Sequence, residues 1–391
     1  MIQRCLLSLI FIVFIPLALG CEKHASPKPV DFLFVLFDAG ETNAMVPVLK
    51  QLANTDHSFV VILFGTSRSL NIADKLAGSE ILDGADMTGL SIDNRWDRNE
   101  GLPDDKLRRI TQAYQPKVVI TGASTKLQVQ FAKAYQATSQ ILAYYDNYGP
   151  IDNISYAPIV RKLEEVVDGL MVPSTSVAKT AKTANVLVVG QPALERTLEN
   201  FKTIDSAEVY KKTGLKSNRP IVSFFGGYDP EYKAVLTTFV KGIKAFPEVQ
   251  AVIRPHPKAG DALERDVVAD EKCSNCIIST TDMTTPEAVS LSDVVVCHHS
   301  TVGIQAIFLG KSVVYVDVPG NTFTNPDLSE WHFSPQVTNV ADFKEAMKEA
   351  TKKDAVKPDE LFALAGIPRQ GADRVVEVLM DELKNGSVTT K

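Results

Sequence analysis

Residues 292–311 read Ser292-Asp293-Val294-Val295-Val296-Cys297-His298-His299-Ser300-Thr301-Val302-Gly303-Ile304-Gln305-Ala306-Ile307-Phe308-Leu309-Gly310-Lys311. The run Val294–Cys297 has no polar face, which is how a strand reads when helices cover both sides of a parallel sheet. It breaks into a polar Ser-Thr turn and then into helical spacing over Val302–Leu309, a strand–turn–helix order typical of βα units. Hydroxyls and free backbone N–H groups converge at that turn, where the helix dipole favours an anion. The pattern reads as a seat for a phosphate or diphosphate. A simple cap, with Ser300 or Thr301 only closing the helix at ~1 kcal/mol, accounts for the same residues.

The same grammar runs outward in both directions. Upstream, Phe32–Phe37, Phe59–Phe64, Lys117–Thr121, Gln140–Tyr144, Gly169–Val172 and Asn185–Val189 are short apolar runs that end in small or polar residues. That edge is where an open α/β sheet binds ligands. Around the quoted stretch, strands are expected at Ile221–Phe225, Gln250–Arg254, Cys276–Ser279 and Ser312–Val316. Helices are expected at Lys106–Tyr114, Thr285–Leu291, Asp342–Lys352 and Gly371–Lys384, the last two covering or bridging the sheets. The reading is α/β: two doubly wound, Rossmann-like domains facing a cleft. Residues 31–195 form the first, 196–218 a polar, Lys-rich connection, 219–352 the second, and 353–391 a C-terminal helical segment. A length of 391 residues suits two domains. A 45% hydrophobic and 23% charged composition is that of a folded globular chain. With 41 Lys+Arg against 47 Asp+Glu, and basic residues never clustered beyond a pair or so, the chain argues against a nucleic-acid partner.

The first 20 residues read as a targeting segment, with Arg4 followed by the apolar run Leu6–Leu19, interrupted only by Ser8 and Pro16. The run is short of the ~20 residues a bilayer span needs. Leu17-Ala18-Leu19-Gly20-Cys21 resembles a bacterial lipobox, with Ala18 at the position where leucine is usual. Cleavage before Cys21 would leave a lipidated cysteine, a tether over residues 21–30, and a body in the cell envelope, periplasmic or extracellular, held to the membrane by its lipid; an uncleaved anchor or an ordinary secretory signal accounts for the same residues. In an oxidising compartment Cys273 and Cys276 are spaced to form a small disulfide or to stay two thiols in a loop; spacing does not choose. Cys297 reads as a buried small hydrophobe.

Other chemistry-bearing residues flank the expected strands. Gly226-Gly227 follows a strand and precedes a helix, and can present backbone amides to the same ligand. Arg254-Pro255-His256-Pro257 ends another strand, with two prolines fixing the backbone around His256. His298 and His299 face opposite ways if the strand continues through them, one to the cleft and one to the interior. No histidine or carboxylate spacing completes a metal ligand set, and no cofactor is expected. On the first domain, Asp38 and Glu41 at the end of the first strand are placed to take an acceptor proton, with Asp146 after the fourth strand as the second choice. Glu41 equally suits a carboxylate that only favours a helix N-terminus.

His256-Pro257 and Ser300-Thr301 resemble the His-Pro and Ser-Ser/Thr motifs of CDP-glycerol glycerophosphotransferases and capsule polysialyltransferases. Residues 31–384 as a whole resemble GT-B fold glycosyltransferases and their relatives, the UDP-N-acetylglucosamine 2-epimerases among them. Asp38–Leu49 is similar to the opening turn and helix of a GT-B acceptor domain, and Val188–Glu195 to the Gly-x-Pro segment that ends it. The resemblance implies that His256, Ser300 and Thr301 hold nucleotide phosphates of a nucleotide-activated sugar or polyol donor, used as substrate, and that a glycosyl or polyol-phosphate group is transferred in envelope polysaccharide or lipid-linked glycan metabolism. Many relatives place a glutamate on the helix after the Ser-Thr turn to receive the ribose hydroxyls; Gln305 stands here and lacks the charge that strengthens such a bond. The export signal and Gln305 together favour a second reading, an exported lipoprotein that binds a glycan or phosphorylated ligand without turnover; a third is an epimerase or hydrolase of a phosphorylated sugar using the same cleft.

Overall fold

A computed structural model describes residues 26–386 except 71, 73–75, 77–79, 94, 95, 155, 228, 257–259, 281, 299, 320–333 and 352–357. The leader, Cys21, Pro257 and His299 lie outside the described residues.

Among the described residues two parallel sheets organise the chain. The first orders its seven strands β3-β2-β1-β4-β5-β6-β7, the second its six as β10-β9-β8-β11-β12-β13. The first sheet comprises β1 (Lys28–Leu36), β2 (Phe59–Leu63), β3 (Glu80–Asp83), β4 (Tyr114–Gly122), β5 (Gln140–Tyr144), β6 (Gly169–Val172) and β7 (Val186–Val188). The second comprises β8 (Ile221–Phe225), β9 (Gln250–Arg254), β10 (Cys276–Ile278), β11 (Val294–Cys297), β12 (Ser312–Val316) and β13 (Gln336–Val337). In each sheet the order reverses once, between β1 and β4 and between β8 and β11. The helices leaving the two central strands go to opposite faces there and open a crevice at the strand ends.

Burial explains the near-continuous apolar strands. Along β1, Phe32, Phe34 and Leu36 enter one core cluster while Leu33 and Val35 enter the other. Successive side chains take opposite faces, and both faces are covered. β8 does the same, with Val222 and Phe224 on one side and Ile221 and Phe225 on the other. Each such Leu or Phe contributes roughly 1.5–3 kcal/mol by leaving water. The exception is Ser223, which satisfies its buried hydroxyl by accepting from the Ser292 hydroxyl at 2.6 Å.

The chain departs from the sequence reading at several edges. The first sheet begins at Lys28 rather than Phe32, because Lys28 and Pro29 pair with Tyr114 and Gln115, so the last residues assigned to the tether are part of the sheet. The helix expected to end at Tyr114 is Asp104–Thr111, and Tyr114 already belongs to β4. The short edge strands β3 and β13 carry too little apolar pattern to announce themselves. The connection after residue 195, whose sequence has some helical period, is helical. Its helices Pro192–Phe201 and Ser206–Thr213 bury Leu194, Leu198, Phe201 and Val209 in the second domain's core. Of the last helices, Val340–Ala350 packs Phe343 and Met347 on the second sheet, Pro358–Ala365 buries Leu361 and Phe362 in the same domain, and Gly371–Gly386 returns to the first sheet with Val375, Leu379 and Leu383. Cys273 and Cys276 are joined in a disulfide and Cys297 is a buried free thiol. Among the described residues no helix is long and apolar enough to cross a membrane.

Candidate functional site

At the first reversal point, Asp38 is the N-cap of the helix Ala39–Leu52. Three residues on, Glu41 folds its side chain back over the helix start. Its Oε1 accepts from the backbone N–H of Phe37, from that of Asp38 at 3.1 Å, and from Gln128 Nε2 at 2.7 Å. Ser124 Oγ approaches Oε2 at 3.5 Å. Glu41 is 1% exposed, so the carboxyl fills the crevice between β1 and β4 rather than opening onto it. The fit depends on Gly122, where a methyl group would lie 1.7 Å from Glu41 Oε2. Burial, then the neighbouring Asp38 and Asp146, push the Glu41 carboxyl up to about 8.

Asp146, just beyond β5, is held differently. Gln191 Nε2 donates to its backbone carbonyl at 2.7 Å, and Gln191 Oε1 accepts from the Tyr144 hydroxyl at 2.9 Å. Its carboxylate rests against Gly40, where a methyl would fall 2.0 Å from Oδ2. Burial first, then Asp38, push this carboxyl up to about 7, with Arg98 acting in the opposite direction. Arg98 pairs with Asp38 at 2.7 Å and stacks over the Tyr156 ring at 4.9 Å. Asn147 Nδ2 donates to the Tyr156 hydroxyl. Three carboxyl groups and one guanidinium therefore share the edge of the first sheet.

At the second reversal point the Ser300 hydroxyl accepts from Val302 N–H at 3.3 Å, while the Ser300 carbonyl accepts from the Tyr315 hydroxyl at 3.3 Å. Thr301 takes the cap position of the helix Val302–Phe308 without a side-chain cap bond. Gly226 donates its N–H to the Arg254 carbonyl at 3.0 Å. Its α-carbon lies against the Tyr232 hydroxyl, and that of Gly227 against Asp229 and His298. The Arg254 guanidinium turns into its own domain, where Nη1 donates to Ser279 Oγ at 3.1 Å and to the Met283 carbonyl. His256 is half-buried beyond β9. His298 is interior, 2% exposed, with Nδ1 3.0 Å from the Val316 carbonyl and Nε2 3.2 Å from Asp229 Oδ1.

A cavity of about 360 Å³ lies between the domains. Gly40, Asp146 and Asn147 line it from the first domain, Thr301 and Gln305 from the second, and Arg196 from the helix Pro192–Phe201. Of the residues singled out in the sequence, Asp146, Thr301 and Gln305 meet across this space. Glu41 sits behind the wall, Asp38 is engaged by Arg98, and the Arg254 guanidinium binds carbonyls of its own domain. Arg98, Asn147 and Arg196 were not expected. The first two lie in loops with no motif, and Arg196 lies in the stretch read as connection. Gln128 had a legible signal, since Thr125-x-x-Gln128 has the spacing of a capping box. Among the described residues no three His, Cys, Asp or Glu side chains gather as metal ligands.

The sequence matches no protein-family model and no curated protein. Solved structures do match along nearly the whole chain. UDP-N-acetylglucosamine 2-epimerase from Rickettsia bellii superposes with a TM-score of 0.65 at 10% identity, covering 92% of this chain and 99% of its own. The 2-epimerase from Neisseria meningitidis bound to UDP-GlcNAc gives 0.61 at 13% identity, covering 91% and 100%. The wall teichoic acid polymerase TagF gives 0.60 at 10% identity, covering 94% and 92%. With two parallel sheets, a reversal point in each and an interdomain cavity in place, the chain has the GT-B fold, two Rossmann-like α/β domains facing one cleft.

Proposed function

We propose that this protein transfers a glycosyl or polyol-phosphate group from a nucleotide-activated donor to a hydroxyl acceptor of envelope polysaccharide or lipid-linked glycan. The observation that carries the reading is the meeting of two sheet-reversal edges on one cavity, with Asp146 on one wall and Thr301 and Gln305 on the other. Asp146 is assigned as proton acceptor. Its pKa of about 7 leaves a useful fraction ionised at neutral pH while keeping it basic enough to take a hydroxyl proton as the bond forms. The acceptor oxygen attacks the donor, its proton passes to Asp146, and the bond to the nucleotide phosphate breaks with the electron pair leaving on that phosphate. Thr301 and the turn beginning at Ser300 face the departing charge. Asp38 and Glu41 act through Asp146, since Asp38 raises its basicity and Glu41 fixes the turn from which the helix Ala39–Leu52 starts.

Calorimetric titration of the full chain with UDP, CDP, CMP and GDP tests the donor half of this reading. One nucleotide is expected to bind at micromolar strength. Thr301→Ala removes a single hydrogen-bonding hydroxyl and is expected to weaken it by roughly tenfold. Silence across the panel from a folded protein would discard the transferase.

Two features favour a second reading, a binding protein without turnover: Gln305 in place of a charged residue, and an Arg254 guanidinium whose Nη1 is turned to acceptors of its own domain. It predicts ligand binding with no product from a labelled donor. In either case we propose that Cys21 is lipidated and anchors the body to the envelope membrane. Cells fed tritiated palmitate should label the parent and not Cys21→Ser, which should leave the membrane fraction; a labelled serine variant would remove the anchor from the account.

A further inference from the structure

Arg196 lines the interdomain cavity from the helix Pro192–Phe201, and its Nη1 is shielded from solvent with no hydrogen-bond acceptor among the described residues. The acids beside it on that helix face other cations. Glu195 Oε2 accepts from Gly371 N–H at 3.0 Å and its Oε1, without a hydrogen bond among the described residues, lies 3.7 Å from Arg369, while Glu199 pairs with Lys202 at 2.7 Å. Asp146, the acid on the cavity wall, rests against Gly40. A guanidinium is a donor at every nitrogen and has no lone pair to turn inward, so a shielded Nη1 is satisfied only by an acceptor. Its neighbours on the wall, Asn147, Thr197 and Asn200, are neutral. What such a group lacks is an oxyanion, whose two oxygens match the planar fork.

We infer that Arg196 is the oxyanion-binding residue of the interdomain cavity, and that the ligand brings a phosphate group, or a carboxylate, to this wall. The charged group is either the donor's diphosphate or an anionic substituent on the acceptor. The second source makes the acceptor a phosphorylated or carboxylated polyol or sugar rather than a neutral glycan. Donor and acceptor are terms of the transferase reading, on which that part of the inference rests; the oxyanion site does not depend on it.

The test is titration of the full chain with inorganic pyrophosphate, glycerol 3-phosphate, glycerate and glycerol, for the parent, Arg196→Gln and Arg196→Lys. The parent is expected to bind at least one of the three anions and to ignore glycerol at the same concentrations. Arg196→Gln should lose tenfold or more of that affinity, and Arg196→Lys should recover part of it. Melting curves show whether each variant is folded. Loss confined to pyrophosphate assigns the site to the donor, loss with glycerol 3-phosphate or glycerate to the acceptor. Equal anion binding by a folded Arg196→Gln, or no anion binding by the parent, overturns the inference. The two ideas fail separately. Thr301-dependent nucleotide binding with no effect of Arg196→Gln would leave the transferase standing and remove this site, whereas Arg196-dependent anion binding with no nucleotide bound would do the reverse.

Discussion

Asp146→Asn is expected to lower turnover by about 10²–10⁴-fold while nucleotide affinity stays as in the parent. The amide has the shape of the carboxylate, so the contact with Gly40 and the hydrogen bond from Gln191 to the Asp146 carbonyl survive. What disappears is the proton acceptor. In the parent, kcat/KM should rise with pH through about 7, as the carboxyl that burial and Asp38 have made weakly acidic becomes ionised. That limb should be absent from the residual activity of the variant. Radiolabelled donor and a pH series suffice for the measurement. Undiminished turnover in a folded Asp146→Asn protein would remove Asp146 from the chemistry.

The largest effect on stability belongs to Glu41. Its pKa is about 8 in the folded protein against 4.5 for an exposed glutamate, so folding takes up a proton between those values. The stabilising state is the protonated one. Its contribution is complete below about 4.5 and is lost as pH rises through 8, because the unfolded chain then holds fewer protons than the native one. A tenfold difference in proton affinity between the folded and unfolded chain is worth roughly 1.4 kcal/mol, so the parent should lose a few kcal/mol between pH 5 and 9. Glu41→Gln keeps an oxygen for the Phe37 and Asp38 N–H groups and for Gln128, and offers an N–H toward Ser124. The variant should therefore be more stable than the parent at pH 9 and flatter across the range. Asp146, raised to about 7, leaves a smaller slope of the same sign. Urea melts at pH 5, 7 and 9 would decide it; a variant less stable than the parent at pH 9 contradicts the assignment of a neutral Glu41.

How much of this was legible in the sequence depended on the kind of residue. Strands such as Ile221–Phe225 and Val294–Cys297 were readable to the residue because burial on both faces forces a nearly continuous apolar run, broken only by Ser223. Edge strands such as Glu80–Asp83 have one open side and a mixed composition, and so no such compulsion. The site was legible where a motif rests on backbone geometry. Asp38-x-x-Glu41 is a capping box whichever way it is used, and the sequence could not say that its carboxyl would be sealed behind Gly122. Arg254 and His256 stood out in the sequence through their place at a strand end. Yet which way a long side chain turns is set by acceptors distant in sequence, such as the Ser279 hydroxyl and the Met283 carbonyl. Arg196 was invisible for the complementary reason, since its distinction is a missing partner.

The helix Gly371–Gly386 lays Val375, Leu379 and Leu383 on the first sheet, beside Phe32 and Phe34. Gln51 and Glu195 tie its start to elements made far earlier, through Asp373 at 2.6 Å and Gly371 N–H at 3.0 Å. As the ribosome delivers the chain, the part of the first sheet's apolar face that this helix covers stays open until the whole second domain has been made. The amino-terminal half therefore completes its core only after the second domain is made, and a chain stopped short of residue 371 would leave that strip of apolar surface open to chaperones and to its own aggregation. The same strap joins the halves a second time, so any opening of the cleft must pivot about both crossings at once.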